Sequence, residues 1–498
     1  MRKIIVLAVA VLCCGLGRRA LGQDTRIPLG GGWRIQSSAK LTAGGEAVSS
    51  RSFRADGWYP ASIPSTVVAA LVANKVYPDP FFGMNLRAIP GTSYPIGRNF
   101  STLDMPADSP FRASWWFRDV FTAPAAARGR RVALHFDGIN YRANVWLNGR
   151  RIASADAVAG MYRMYEFDVT DAIVVGPANV LAVEVFPPAP DDLAWTWVDW
   201  NPMPADKNMG LWRPVYLTIS GDVVVRHPHV VSKLEPGFTR AALKVGTEVR
   251  NVSRQTARGI LEARIYRPSG IQAFAFEAKV DLAPGEAKII RSPAMTLEQP
   301  ELWWPAGMGK QVLYRADVSF RSGNVVSDRQ SVKFGIRETV SESTGNGARL
   351  FRVNGRPLLV RGGGWAPDML LRVDARRQDA ELRYVRDMHL NTIRLEGKLE
   401  NDRFFDRADE EGILVLAGWC CCDAWEQWGK WKPENRAIAA ASLRDQIRRL
   451  RNHPSVLAWM NGSDNPPPAD IEQMYIDILK ELEWPTPYVS SATAKRRR

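Results

Sequence analysis

The spacing of apolar residues changes after about Thr339, and this change limits the folds available to the chain. Before that point apolar residues alternate with polar ones, whereas beyond it short apolar runs alternate with stretches of helical spacing. Period-two alternation predicts half-buried strands of antiparallel sheets, and strand–helix alternation predicts parallel βαβ units. The sequence therefore predicts a multidomain protein in which all-β domains precede an α/β domain.

Residues 23–221 are predicted to form a β-sandwich of the jelly-roll type. Four stretches show the alternation clearly, at residues 132–136, 145–147, 181–185 and 215–219. Asn148-Gly149 lies between two of the predicted strands and is a strong hairpin signal. Residues 222–338 contain several short strands at spacings near ten residues, which favours an immunoglobulin-like β-sandwich.

Residues 339–498 are predicted to form the N-terminal part of a (β/α)₈ (TIM) barrel. Strands are expected at residues 358–360, 391–395, 413–417, 455–460 and 488–491, and helices at 374–388, 399–411, 435–450 and 469–482. A closed barrel needs eight such units and about 250 residues. The sequence thus predicts four units, the start of a fifth, and a barrel that is truncated.

Residues 1–22 have the features of a secretory signal peptide. Met1-Arg2-Lys3 is followed by an apolar run at residues 4–16 and by Ala20-Leu21-Gly22, a small-x-small cleavage pattern. No later segment has the length and apolarity of a membrane helix. The sequence therefore predicts a secreted or periplasmic protein without a membrane span.

Composition excludes several classes of function. The net charge is +14, but basic and acidic residues are interspersed, and neither a basic stripe with aromatic residues nor a glycine-rich phosphate loop is present. Nucleic-acid and nucleotide-phosphate binding are therefore not expected. Cys420, Cys421 and Cys422 are consecutive, which suits neither a disulfide nor a zinc site. The sequence predicts no cofactor and no metal.

The 18 tryptophans are the compositional outlier, and several lie close to carboxylates that follow predicted parallel strands. Because the carboxyl ends of barrel strands open on one face, these residues are expected to converge: Glu396, Asp423, Glu426 and Asp464 among Trp365, Trp419 and Trp425. Aromatic walls that exclude water raise the pKa of a carboxylic acid and keep it protonated. This pattern favours a sugar site with general acid/base chemistry.

Each of these residues also has a purely structural interpretation. Asp464 could cap the helix that begins near Ala469, and Glu396 could pair with Arg394 or Lys398. Asp423 and Glu426 could be solvated loop charges, and the tryptophans could fill sandwich cores as well as stack on sugars.

Several stretches resemble glycoside hydrolase family 2, and together they cover nearly the whole mature chain. They are Trp115-Trp116-Phe117-Arg118, Phe136-Asp137-Gly138-Ile139-Asn140-Tyr141, Val145-Trp146-Leu147-Asn148-Gly149, Asn208-Met209-Gly210-Leu211-Trp212-Arg213-Pro214-Val215, Leu302-Trp303-Trp304-Pro305, Val353-Asn354-Gly355-Arg356-Pro357 with Arg361-Gly362, and Asn452-His453-Pro454-Ser455-Val456 before Trp459. The resemblance implies a retaining glycosidase with a sugar-binding domain, an immunoglobulin-like domain and a catalytic barrel.

One departure from the family pattern indicates a branch. Most members have Asn followed directly by Glu at the acid/base position, whereas this chain has Asn461-Gly462-Ser463-Asp464. That segment is similar to the exo-β-D-glucosaminidase branch, which removes glucosamine from chitosan oligomers. The resemblance implies that Asp464 is the general acid/base and that Glu396 contacts the C2 ammonium.

The resemblance also implies that Asp199 and Trp200 reach the sugar from the first domain, and that Asn461, Trp365, Trp419 and Asp423 contact it. The β-mannosidase branch has a loop similar to Trp197-Val198-Asp199-Trp200, so that loop does not separate the two branches. A non-catalytic carbohydrate-binding protein is the alternative from another functional class.

The nucleophile of the family, a Glu near the end of the seventh barrel strand, matches no position in this chain. After Ala494 the sequence leaves the family pattern for Lys495-Arg496-Arg497-Arg498. A truncated gene would explain this departure, and the alternative is a split enzyme whose barrel is completed by a second chain. In either case the chain alone is expected to lack half of the catalytic pair.

Overall fold

The computed structural model describes residues 26–492 except 96, 97, 99, 196–202, 346, 347, 397 and 420–422. The predicted signal peptide, the three consecutive cysteines, Asp199 and Trp200 lie outside the described residues. Within the described part of the chain, no helix has the length and apolar character needed to cross a membrane.

Residues 26–220, the first β region, form two antiparallel sheets and a small two-stranded one. The strands and helices are β1 Ile27–Pro28, β2 Trp33–Ser37, α1 Gly45–Val48, β3 Tyr59–Ala61, β4 Ser65–Thr66, α2 Val67–Ala73, β5 Trp115–Thr122, β6 Arg131–Phe136, β7 Arg142–Leu147, β8 Arg150–Ala153, β9 Tyr165–Asp168, β10 Ala178–Phe186, β11 Gly210–Leu211 and β12 Val215–Ser220. The sheets have the orders β1-β12-β6-β9, β3-β2-β5-β10-β7-β8 and β11-β4. The predicted alternation is confirmed, because every second residue of β6 and β7 is buried between the sheets.

The predicted hairpin at Asn148-Gly149 joins β7 to β8. Both residues have positive φ, 52° at Asn148 and 84° at Gly149. A two-residue turn with two positive φ angles matches the right-handed twist of the flanking strands, and Asn-Gly tolerates those angles best.

Residues 223–336, the second β region, form a sandwich of two antiparallel sheets. The strands are β13 Val223–Leu234, β14 Arg240–Asn251, β15 Ala257–Tyr266, β16 Gln272–Leu282, β17 Ala287–Arg291, β18 Met295–Glu298, β19 Tyr314–Ser322 and β20 Val325–Phe334. One sheet has the order β13-β14-β17 with β18 also paired to β14, and the other has the order β16-β15-β19-β20.

Residues 339–492, the α/β region, begin with an antiparallel sheet of β21 Thr339–Ser343, β22 Arg349–Val353 and β23 Arg356–Leu358. There follow β24 Gly362–Gly364, α3 Ala375–Asp387, β25 Thr392–Arg394, α4 Asp402–Glu411, β26 Leu414–Gly418, α5 Pro433–Leu450, β27 Val456–Met460, α6 Ala469–Glu481 and β28 Tyr488–Val489. Strands β24 to β28 form a parallel sheet in sequential order. The predicted βαβ alternation is therefore confirmed, with a helix between each pair of strands.

The prediction for the first parallel strand is wrong. Leu358 belongs to the antiparallel strand β23, Leu359 is 72% exposed, and the parallel strand is instead Gly362–Gly364. A Cβ atom on Gly362 would lie 2.0 Å from the carbonyl oxygen of Thr392 in β25. The close approach of the two backbones requires glycine, which strand propensity does not favour.

Helix α4 shows how local sequence sets the ends of an element. The Asn401 side chain accepts a hydrogen bond from the backbone N–H of Phe404 at 3.0 Å, and Gly412 ends the helix with φ of 71°. These are the usual N-cap and C-cap conformations. The predicted end at Gly412 is confirmed, and the helix starts three residues later than predicted because Asn401 caps it.

The core of the α/β region is shared with the first β region. Eight side chains of the first β region lie in one hydrophobic cluster with those of β25 to β27 and α4 to α6. The eight are Tyr141, Ala159, Met161, Tyr162, Leu193, Ala194, Trp195 and Trp212. Polar contacts reinforce this junction, since Arg213 and Arg449 both donate to Asp402 Oδ1, at 2.7 and 2.9 Å. The first β region therefore forms one wall of the α/β region and fixes the position of its loops.

Candidate active site

The loop after β27 carries Asn461 and Asp464. The Asn461 backbone N–H donates to the Val489 carbonyl oxygen at 2.9 Å, which ties the start of the loop to β28. The Asn461 side chain is 1% exposed, and neither of its amide atoms forms a hydrogen bond with a described residue. A buried amide without a protein partner is costly, so this position is suited to a ligand or an ordered water.

Gly462 allows the loop to fold back on itself. A Cβ atom there would lie 2.2 Å from the carbonyl oxygen of Asn465. Asp464 lies at the exposed turn that results. The alternative in which Asp464 caps the next helix is wrong, because the N-cap of α6 is Pro468 and no side chain caps it.

Glu426 holds this loop from the neighbouring strand end. Its Oε1 accepts hydrogen bonds from the backbone N–H groups of Ser463, Asp464 and Asn465 at 2.7, 2.9 and 3.3 Å. Burial raises the pKa of Glu426, the three N–H groups oppose that shift, and the charge of Asp464 adds to it. The alternative in which Glu426 is a solvated loop charge is therefore wrong, and sequence reasoning missed this contact.

Asp423 is also not a solvated loop charge, since it is 3% exposed. Its carboxylate accepts the backbone N–H of Trp425 at 2.9 Å and caps the 3₁₀ turn Ala424–Glu426. Asp423 thereby fixes the turn on which Glu426 lies.

Glu396 lies at the carboxyl end of β25 in a left-handed conformation, with φ of 39°. Such angles are uncommon outside glycine and often occur at functional positions. Glu396 Oε1 lies 3.9 Å from Arg394 Nη2, and the same Nη2 donates to Ser463 Oγ at 2.7 Å. Arg394 thus connects Glu396 to the loop of Asp464, and the structure brings these predicted residues to one end of the parallel sheet.

Trp365 follows β24 at the same end of the sheet. Its backbone N–H donates to the Arg394 carbonyl oxygen and its indole Nε1 to Glu400 Oε1, both at 2.9 Å. Burial raises the pKa of Glu400. Trp365 and Glu400 line a cavity of about 250 Å³ that extends towards α3 and the first β region.

Trp419 and Trp425 do not form exposed walls of this site, which corrects the prediction for them. They are 2% and 1% exposed, and their rings stack on each other with centroids 4.5 Å apart. Tyr162 of the first β region and Trp459 of β27 pack against Trp419, with centroids 5.4 and 5.1 Å away. Their position in the shared core leaves no ring face for a sugar.

One group of side chains in the described residues has the spacing of a metal site. The possible ligand atoms of Asp406, Asp409 and His453 lie within 4.8 Å of one another. The cluster lies at the amino end of β27, opposite Asp464, and Asp409 already bonds His453 Nδ1 at 2.6 Å and the Ser455 N–H at 3.0 Å. Asp409 therefore has a structural role, because its carboxylate binds two residues of the segment that leads into β27.

Comparison with known proteins gives two family matches. Residues 33–192 match the family described as glycosyl hydrolase 2 galactose-binding domain-like. Residues 223–337 match glycosyl hydrolases family 2.

Individual relatives extend the similarity into the α/β region. The chain is 41% identical over 478 residues to an exo-β-D-glucosaminidase of Streptomyces avermitilis, covering 93% of this chain and 50% of the relative. The crystal structure of the Amycolatopsis orientalis exo-chitosanase is similar with a TM-score of 0.86 and 36% identity, covering 95% of this chain and 53% of that one. A mannosylglycoprotein endo-β-mannosidase of Lilium longiflorum is 31% identical over 491 residues, covering 91% of this chain and 50% of the relative. The chain spans about half the length of the curated relatives it matches.

Proposed function

We infer from the two family matches that the chain belongs to glycosyl hydrolases family 2, and from that premise we propose that its protein releases β-linked glucosamine from the non-reducing end of chitosan oligosaccharides. The observation that carries the proposal is the loop of Asp464. It presents a carboxylate at the carboxyl end of a parallel strand, and Arg394 connects it to a second carboxylate, Glu396. The identity to exo-β-D-glucosaminidases supports this choice of sugar.

The proposed architecture follows from the order of the parallel strands. Strands β24 to β28 are neighbours in the order in which they occur in the chain, as they are in a (β/α)₈ barrel. We assign them to the N-terminal part of such a barrel, residues 339–498. The sugar-binding jelly roll is assigned to residues 23–221 and the immunoglobulin-like sandwich to 222–338, and residues 1–22 to a signal peptide that directs secretion.

In the proposed mechanism, Asp464 protonates the glycosidic oxygen as the bond to C1 breaks, and a carboxylate nucleophile attacks C1. Asp464 then removes a proton from water as the glycosyl intermediate is hydrolysed. The two carboxyl groups of a retaining enzyme lie about 5 Å apart. The nucleophile matches no position among these 498 residues, so further barrel strands or a second chain would supply it.

Binding of glucosamine is assigned to the polar groups around Asp464. Glu396 would accept a charge-assisted hydrogen bond from the C2 ammonium, which is stronger than a bond to a neutral hydroxyl. The buried Asn461 amide would complete its hydrogen bonds on the sugar. Trp365 and Asp423, together with Asp199 and Trp200 of the first domain, are the further proposed contacts.

The test uses protein purified from the complete gene that contains this chain, with p-nitrophenyl β-glucosaminide and p-nitrophenyl β-mannoside as substrates. We expect glucosaminide turnover near the typical enzyme rate of about 10 s⁻¹ and its loss in Asp464→Ala by a factor on the order of 10³ or more. Asp470→Ala is the matched control, because Asp470 is an exposed residue of α6 whose carboxylate pairs with Arg436. Turnover that survives Asp464→Ala would contradict the assignment.

A second candidate function, β-mannoside hydrolysis, is favoured by the identity to the lily endo-β-mannosidase. The ratio of the two substrate rates separates the candidates. Glu396→Gln should reduce the glucosaminide rate more than the rate on the corresponding glucoside, and an unchanged ratio would remove Glu396 from the ammonium site. Saturable binding of chitosan oligosaccharides without turnover would indicate a carbohydrate-binding protein instead.

A further inference from the structure

The loop of Asp464 takes its shape from a carboxylate on a different loop. Glu426 Oε1 accepts the N–H groups of three consecutive residues, Ser463, Asp464 and Asn465, at 2.7 to 3.3 Å. Successive N–H groups that converge on one oxygen form an anion-binding nest. An ionised carboxylate is a better acceptor for several donors than a neutral group, so the nest depends on the Glu426 charge.

Glu426 is itself held rigidly. It ends the 3₁₀ turn that Asp423 caps, and the preceding residue, Trp425, donates its indole Nε1 to the Ala194 carbonyl oxygen of the first β region at 3.2 Å. Trp425 is 1% exposed within the shared core. The acceptor of the nest is therefore anchored in the junction between the first β region and the α/β region.

Two further contacts hold the other sides of the loop. Arg394 Nη2 donates to Ser463 Oγ at 2.7 Å, and the Ala492 N–H donates to the Ser463 carbonyl oxygen at 3.0 Å. Ser463 is thus bonded at its N–H, its hydroxyl and its carbonyl. Asp464 is fixed through its backbone, while its side chain remains on the exposed side of the loop.

We propose that Glu426 is a positioning residue for Asp464: its carboxylate fixes the backbone of residues 463–465 and so directs the Asp464 side chain towards the glycosidic oxygen. The proposal rests on the proposed function for the role of Asp464, and the geometry of the nest stands independently of it. Because Glu426 acts through the loop and not on the sugar, its loss should lower kcat and leave KM nearly unchanged.

The first experiment measures the nest without reference to activity. Hydrogen–deuterium exchange of peptides covering residues 461–468 is compared in the wild type, Glu426→Leu, Glu426→Gln and Glu434→Gln. Leu removes the acceptor, Gln keeps an acceptor oxygen of the same reach without the charge, and Glu434 is the control because it pairs with Arg142 at the surface. We expect exchange of the amides of residues 463–465 to rise by about tenfold or more in Glu426→Leu and by less in Glu426→Gln.

The second experiment measures kcat and KM for p-nitrophenyl β-glucosaminide with the protein from the complete gene. We expect kcat to fall about tenfold or more in Glu426→Leu, with partial rescue in Glu426→Gln and a KM within about twofold of the wild type. Exchange at residues 463–465 equal to that of the wild type in Glu426→Leu would overturn the nest. Faster exchange with an unchanged kcat would overturn the positioning role.

The two proposals fail in different ways. A wild-type protein that lacks glycosidase activity, combined with exchange that responds to Glu426, contradicts the proposed function and supports the nest. If Glu426→Leu does not fold, Glu426→Gln decides the matter, because exchange and kcat equal to those of Glu434→Gln would show that the Glu426 charge holds nothing.

Discussion

The second β region and the α/β region differ in where their hydrophobic cores come from. The main buried core of the second β region consists of its own residues, from Val223 to Ile336, although its Trp303 lies in a small cluster with residues of the α/β region. The core of the α/β region includes eight buried residues of the first β region, among them Tyr162, Trp195 and Trp212. A sandwich with its own core resembles an autonomous domain, whereas the α/β region completes its core with residues of the first β region, which lies on the other side of the second β region in the sequence.

The two regions also differ in how they join their neighbours. The first and second β regions meet through ions, since Glu166 of β9 bonds Arg226 at 2.9 Å and Arg250 at 2.7 Å. The first β region and the α/β region meet through packed aromatic rings around Tyr162 and also through ion pairs such as Arg213–Asp402. Ion pairs respond to pH, whereas an aromatic cluster responds mainly to loss of volume.

The largest expected effect comes from Tyr162→Ala, which should destabilise the α/β region although Tyr162 lies outside it. Removal of a buried aromatic ring costs about 3–5 kcal/mol. The matched variant is Tyr314→Ala, which removes an equally buried ring from the second β region. Hydrogen exchange should show lost protection of α5 in the first variant and of β19 in the second. Unchanged protection of α5 in Tyr162→Ala would show that the α/β region is autonomous.

Glu166→Gln is expected to have an intermediate effect on the free energy of unfolding, and the size of that effect should depend on pH. Burial alone would raise the pKa of Glu166, but the hydrogen bond and charge of Arg226 outweigh burial and lower it to about 2. Because this pKa lies below the unfolded value of about 4.3, the stabilisation is present above pH 4.3 and is lost as the pH falls towards 2. Its size is on the order of 3 kcal/mol at neutral pH.

Urea unfolding between pH 7 and pH 2 measures this effect. Glu166→Gln should lower the free energy of unfolding at pH 7. It should also reduce the loss of that free energy between pH 4 and pH 2. Glu235→Gln, which removes an exposed pair with Arg240, should change the stability much less than Glu166→Gln does, because exposed ion pairs contribute little. If the free energy of unfolding falls as steeply with acid in Glu166→Gln as in the wild type, Glu166 is not the source of the acid sensitivity.

The smallest expected effect concerns His453 in the α/β region. Its stabilising contribution is lost as the pH rises, whereas that of Glu166 is lost as the pH falls. Burial lowers the pKa of His453, but the charge and hydrogen bond of Asp409 outweigh burial and raise it. A pKa above the unfolded value of about 6.5 means that the stabilisation is complete below pH 6.5 and is lost as the pH rises through the folded value. His453→Gln should cost about 1 kcal/mol at pH 6 and less at pH 9.

Unfolding of the α/β region at pH 6 and pH 9 tests this expectation, with His389→Gln as the control because His389 is exposed. A pH dependence that persists in His453→Gln would exclude the His453–Asp409 pair as its source. Acid is therefore expected to weaken the junction of the first and second β regions, and alkali to weaken the contact of His453 with Asp409 that precedes β27.

Periodicity predicted most elements because it reports which side of a strand or helix is buried. It failed at Gly362–Gly364, where close approach to Thr392 rather than side-chain burial decides the strand. The positions of Glu396 and Asp464 at one end of the sheet followed from strand order alone. Strand order could not predict that Trp419 is buried, because Tyr162, whose ring packs against it, comes from the first β region.

The role of Glu426 had no signal in the sequence for a related reason. Its three partners are backbone N–H groups, which every residue except proline provides, so residue types do not mark the contact. The capping role of Asp423 is local in sequence and has a recognisable spacing to Trp425. Contacts between side chain and backbone across loops are therefore the part of the site that only the structure reveals.

The shared core also has a consequence during protein synthesis. Tyr162 leaves the ribosome long before Trp419 and Trp425, which pack against its ring in the folded protein. At a translation rate of about 5–20 residues per second, the delay is on the order of 10–50 s. During that time a folded first β region exposes an aromatic surface to solvent. We therefore expect chaperones that bind apolar surfaces to bind a nascent chain that pauses before α5.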